Sequence, residues 1–271
     1  MTTTHTISVP GARLRYEVRG AGPLLLVAGA PMAAAAFGQL AEALARDYTV
    51  VTHDPRGISG SPLDDPDQDS TPELRADDLA ALLDHLGAGT ADMFGSSGGA
   101  VTGLALTLRH PGRIRTLVAH EPPLLELLPD AGDRRADIDA VIDTFRGDGL
   151  DAAWRKFLAV SGYGADADPP PPGESAEQDL ADATRFFCHE LKGTTGYRLD
   201  SAALVTGPTR VVVGVGADSR GLVTHRTSTA LAELLGTSPV EFPGDHGGFL
   251  WQPEDFAERL SSVLASENAV A

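Results

Sequence analysis

Short apolar, strand-like runs alternate with helix-like periods along the first 121 residues, and this alternation limits the chain more than any other feature. Ala12 to Val18 alternates apolar and polar positions, as a half-buried strand does, whereas Pro23 to Ala28 and Tyr48 to His53 are continuous apolar runs of the kind buried on both faces. Between them Phe37 to Arg46 has helical spacing. Thr71 to Leu86 reads as a second helix, with Thr71 as N-cap, Pro72 at the first helical position and Glu73, Asp77 and Asp78 near its positive end. Strand Ala91 to Phe94, helix Ala100 to Arg109 and strand Arg113 to Ala119 continue the series. Strand, helix, strand connections of this length predict an α/β fold with a mostly parallel sheet flanked by helices on both faces.

The pattern changes after Pro122-Pro123. Helical stretches at Ala136 to Phe145, Leu150 to Val160 and Ala176 to Leu191 follow, separated by a loop at Asp166 to Gly173 that holds four consecutive prolines. Strand Thr209 to Val215, helix Thr224 to Leu235, strand Val240 to Phe242 and helix Pro253 to Leu264 then resume the sheet pattern. The expected organisation is a core of residues 1–121 and 202–271 with an inserted helical cap at 122–201. At 271 residues the chain suits one such core better than two independent domains.

Composition removes several function classes. Lys and Arg total 21 against 38 Asp and Glu, a formal charge of −17, the wrong sign for nucleic acid or an anionic membrane surface. Cys188 is the only cysteine, so no internal disulfide or thiolate metal cluster can form, and its expected role is packing. The start lacks a basic and an apolar signal region, and no apolar run approaches the roughly 20 residues of a spanning helix. The expected protein is cytoplasmic, a monomer or homodimer, and acts on a small molecule.

Gly95-Ser96-Ser97-Gly98-Gly99 fits G-x-S-x-G, directly after one strand and before one helix. Small residues on both sides suit a strained turn that lifts a serine hydroxyl out of a sheet. The alternative is a glycine-rich turn used for packing or phosphate binding. A nucleophilic Ser97 needs a base, and His246 has the best placement of the eight histidines. It follows strand Val240 to Phe242 inside the glycine-rich loop Pro243 to Gly248, ahead of the last helix. The third member is a carboxylate that orients the imidazole. Asp218, just beyond strand Thr209 to Val215, is the expected acid, and its other reading is a turn residue or cap. Glu121, which ends another core strand in His120-Glu121-Pro122-Pro123, is the competing acid or a pocket residue. Ser97, Asp218 and His246 occur in the order serine, acid, histidine.

In this order, with Leu24 to Pro31 before the first helix and Asp54 to Ser61 after the next strand, the chain resembles the α/β-hydrolase fold proteins over nearly its whole length. It is similar more narrowly to Ala-rich single-domain hydrolases of high-GC bacteria that carry His-Glu-Pro-Pro before a helical cap. The resemblance implies an oxyanion hole made by the backbone N–H groups of Ala30 and Gly98. Two positions depart from the family: Ala28-Gly29 stands where His-Gly is frequent, and Ser59 replaces a turn glycine.

The cap region is aromatic, and Phe186, Phe187 and Trp154, with Trp251 after His246, are candidate walls of an apolar substrate pocket. The expected activity is hydrolysis of a carboxylic ester, thioester or lactone of a small, fairly apolar molecule through an acyl-serine, with no metal or organic cofactor. Acyl transfer, cyclisation or perhydrolysis on the same residues is the alternative, and a non-catalytic ligand-binding module on the same fold is another.

Overall fold

The computed structural model describes residues 2–164, 167 and 175–266. Its centre is an eight-stranded sheet in the order β1-β2-β4-β3-β5-β6-β7-β8. The strands are β1 (Thr2–Val9), β2 (Ala12–Arg19), β3 (Leu24–Ala28), β4 (Thr49–His53), β5 (Ala91–Ser96), β6 (Ile114–His120), β7 (Arg210–Gly216) and β8 (Val240–Phe242). From β4 to β8 every neighbouring pair is parallel; β1 with β2 and β2 with β4 are antiparallel.

The helices are α1 (Gly38–Leu44), α2 (Pro72–His85), α3 (Gly98–Arg109), α4 (Ala131–Asp148), α5 (Leu150–Ser161), α6 (Ala176–Arg185), α7 (Leu191–Thr195), α8 (Ser201–Thr206), α9 (Val223–Leu234), α10 (Gly248–Trp251) and α11 (Pro253–Ala265). The two-residue period of a strand explains how they are shared between the faces. Leu26 and Ala28 of β3 pack with α2, α3 and α9, whereas Leu25 and Val27 pack with α1 and α11. Both faces of β3 are therefore apolar and the run is continuous, as a doubly covered strand requires. As expected, Thr71 caps α2: its hydroxyl accepts from the Leu74 N–H at 3.3 Å.

Between β6 and β7 lie α4 to α8, with no strand among the described residues. Ile138, Val141, Ala153 and Phe187 belong to a separate apolar cluster within this stretch. Most of the expected four-proline loop lies outside the described residues. The long helix expected from Ala176 to Leu191 is interrupted: α6 stops at Arg185 and a π-helical turn, Phe186–Glu190, precedes α7. Strand β1 was not anticipated, because five of its first residues are exposed and only Ile7 and Val9 turn inward. Among the described residues no helix is long and apolar enough to cross a membrane.

Candidate active site

The turn from β5 to α3 places Ser97 at φ +55°, ψ −123°, a conformation that a residue with a Cβ adopts only when its surroundings impose it. Its glycine neighbours make that possible. A Cβ on Gly99 would lie 2.1 Å from the Ala28 carbonyl oxygen, one on Gly95 2.6 Å from that of Gly99, and one on Gly98 2.6 Å from that of Ala30. The turn is pinned to the next strand by the Ser97 N–H, which donates to the His120 carbonyl at 2.9 Å. Gly98 opens α3, so its N–H has no acceptor within the helix. The loop at Ala30 is packed directly against it.

Ser97, Gly98, Ala30 and His246 all line one cavity of about 1130 Å3. Its remaining walls are largely apolar, with Met32, Leu125, Ile138, Trp154, Phe186 and Leu250 among them. His246 arrives in the loop after β8. The Asp218 N–H donates to the Gly244 carbonyl at 3.0 Å, joining this loop to the end of β7.

The acid on His246 is Glu121, which corrects the expectation of Asp218. His246 Nδ1 lies 2.7 Å from Glu121 Oε2. Glu121 is fully buried and takes φ +50° one residue beyond β6. Its N–H donates to the Gly214 carbonyl at 3.0 Å, so the turn is held by β7. Its carboxylate accepts from the Gly216 N–H and from the Thr224 hydroxyl, each at 2.9 Å. Burial would raise the Glu121 pKa, but the hydrogen bond and charge of His246, with the nearby His120, outweigh it and bring the carboxyl down to about 2. Asp218 is exposed, because the chain turns outward once it leaves β7.

The other candidates divide. Trp154, Phe186 and Trp251 line the cavity, Trp251 at its exposed margin. Phe187 does not: it is buried in the apolar cluster of the stretch between β6 and β7, its ring centroid 5.0 Å from those of Phe145 and Trp154. Two site residues escaped the sequence reading. Thr224 looked only like a helix start, although it supports Glu121. Glu190 drew no separate reading within the helical stretch Ala176 to Leu191, yet it is buried and faces the cavity. Ser59, the departure from glycine, holds φ +48°, and both its N–H and its hydroxyl donate to the Asp182 carboxylate at 2.9 Å.

A family model for the alpha/beta hydrolase fold matches residues 22–153. The chain is 36% identical over 267 residues to the uncharacterized hydrolase YraK of Bacillus subtilis, spanning 97% of this chain and 96% of the relative. The chain therefore belongs to the α/β-hydrolase family and is a hydrolase of that class. Solved structures with the same fold include a thermophilic esterase from Thermogutta terrifontis, with a TM-score of 0.73 at 20% identity over 98% of both chains. A hydrolase from Pseudomonas aeruginosa superposes with a TM-score of 0.68 at 23% identity, covering 97% of this chain and 98% of the other.

Proposed function

We propose that the protein is a serine hydrolase that cleaves a carboxylic ester, thioester or lactone bond of a small, fairly apolar molecule through an acyl-serine intermediate. The observation that carries this reading is the buried Glu121 carboxylate on His246 Nδ1 at 2.7 Å, beside a cavity that Ser97 enters from a strained turn. With Nδ1–H donated to Glu121, the free Nε2 is the base. It takes the Ser97 hydroxyl proton as Oγ attacks the substrate carbonyl. The oxyanion of the tetrahedral intermediate accepts hydrogen bonds from the Ala30 and Gly98 N–H groups, each worth about 3 kcal/mol when aimed beforehand. Collapse expels the alcohol or thiol, which takes the proton back from Nε2. A water then gives a proton to Nε2 as it attacks the acyl carbon, and collapse of the second tetrahedral intermediate releases the acid while Ser97 Oγ takes that proton back from Nε2. The apolar walls favour an uncharged substrate.

A fluorophosphonate should label the wild-type serine, and Ser97→Ala should abolish both labelling and hydrolysis of p-nitrophenyl esters while the protein stays folded. Folded wild type that neither reacts with the probe nor turns over any ester or lactone would overturn the reading. Within a p-nitrophenyl ester series, kcat/KM should rise from acetate to medium-length acyl chains.

A further inference from the structure

One carboxyl on the cavity wall has no hydrogen-bonding partner among the described residues. Glu190 ends the π-helical turn Phe186–Glu190, is 2% exposed and faces the same cavity as Ser97 and His246. Neither of its carboxyl oxygens has a hydrogen-bond partner among the described residues. Single π-helical turns concentrate at functional sites, because the extra residue redirects a side chain that an α-helix would place elsewhere.

The nearest cation does not satisfy these oxygens. Arg75 Nη1 lies 3.7 Å from Glu190 Oε2, close enough for charge and too far for a hydrogen bond. Each of its three nitrogens is bonded elsewhere: Nε donates to the Thr102 hydroxyl at 3.0 Å, Nη1 to the Ser70 carbonyl at 2.7 Å and Nη2 to the Thr194 hydroxyl at 2.8 Å. Thr102 in turn donates to the Gly98 carbonyl at 3.0 Å, which ties this counterion to α3, the helix that begins directly after Ser97. A buried carboxyl whose oxygens go unbonded is costly, and on a cavity wall a ligand can supply what the protein withholds.

We propose that Glu190 determines specificity by accepting a hydrogen bond from a neutral hydroxyl or amide N–H carried by the substrate away from the scissile bond. This rests on the hydrolase reading above. The donor is neutral because Arg75 already balances the carboxylate: a substrate ammonium would leave one buried positive charge in excess, and an anion would meet the carboxylate itself.

The experiment uses isosteric esters whose chains end in hydroxymethyl, methoxy or ethyl. One series of phenyl esters carries these ends on the acid and one series of butanoates carries them on the alcohol, each over several chain lengths at pH 8. In wild type the hydroxymethyl ester should exceed both isosteres in kcat/KM by about tenfold at some chain length in one series, because a site built around a polar partner rejects the analogue that lacks it. Glu190→Met should bring that ratio below about threefold. Glu190→Gln, which presents an N–H2 donor, should shrink the hydroxymethyl-to-methoxy ratio by at least about threefold, and it decides the matter if the methionine variant does not fold. Ester turnover by wild type with no such preference, or a preference that survives both substitutions, overturns this inference and leaves the hydrolase reading standing. Absence of both turnover and fluorophosphonate labelling removes the hydrolase reading and this inference with it.

Discussion

The Glu121 carboxylate faces His246 because its backbone accepts φ +50° and because the Gly216 N–H and the Thr224 hydroxyl fix its oxygens. Replacing it by glutamine keeps the shape and reverses one bond: the amide N–H2 would donate to Nδ1, place the ring proton on Nε2 and block that nitrogen as a base. Glu121→Gln should therefore lower kcat on p-nitrophenyl butanoate by about 10^3-fold with a smaller change in KM. Asp218→Asn should stay within about twofold of wild type, because its side chain is exposed and does not reach the imidazole. The opposite ranking would restore Asp218 as the acid. Ser97 and His246 were legible because each follows a recognisable strand inside a glycine-rich turn. The acid was not, since β6 and β7 are adjacent parallel strands with His120 paired to Gly214, and both end at the same edge. Which following carboxylate turns inward depends on a positive φ at a non-glycine residue, and no sequence pattern announces that.

At the scale of elements, the joints between helix α6 and the sheet core hold the upper wall of the cavity. Arg185 is 5% exposed and reaches back into the loop before α2, donating to the Pro66 carbonyl at 3.0 Å and, through Nη2, to the Ser70 hydroxyl at 2.6 Å. Gly57 must be glycine beneath it: φ is +80°, and a Cβ there would lie 2.6 Å from Arg185 Nε. Arg185→Met removes hydrogen bonds to a charged group, each worth about 1.5–3 kcal/mol, while keeping much of the stem's packing. Hydrogen exchange should then quicken across residues 176–195 while β5 and β6 remain protected, and KM should rise more than kcat falls. Uniform loss of protection through the sheet would mean that the joint supports the whole fold rather than the wall. The core strands were legible as apolar runs, and β8 was read at its observed limits. β1 was not, because its partner β2 supplies what its own sequence lacks. The π-helical turn was also invisible, since residues 176–191 read equally well as one uninterrupted helix.

Across the whole molecule, buried titratable groups make stability depend on pH in a definite direction. His53 and His120 are both buried, and each is held near a pKa of about 4 against an ordinary 6.5. Burial is the main cause for both, joined by Arg75 for His53; at His120 the charge of Glu121 opposes it. Between about pH 6.5 and 4 the unfolded chain binds protons that the folded chain refuses, so stability is lost as pH falls through that window. Glu121 acts lower: its pKa falls from 4.5 to about 2, so its contribution is present above 4.5 and lost as pH drops toward 2. Asp78 and Glu190, raised chiefly by burial, bind protons in the folded state and offset part of this loss. The comparison of wild type with His120→Asn isolates one histidine, whose share is at most about 1.4 kcal/mol per pH unit. Urea midpoints measured from pH 7.5 to 5 should fall for wild type, and fall less steeply for the variant. Parallel slopes would show that His120 takes up protons in the folded protein as readily as in the unfolded chain, and the lowered pKa of this imidazole would have to be abandoned.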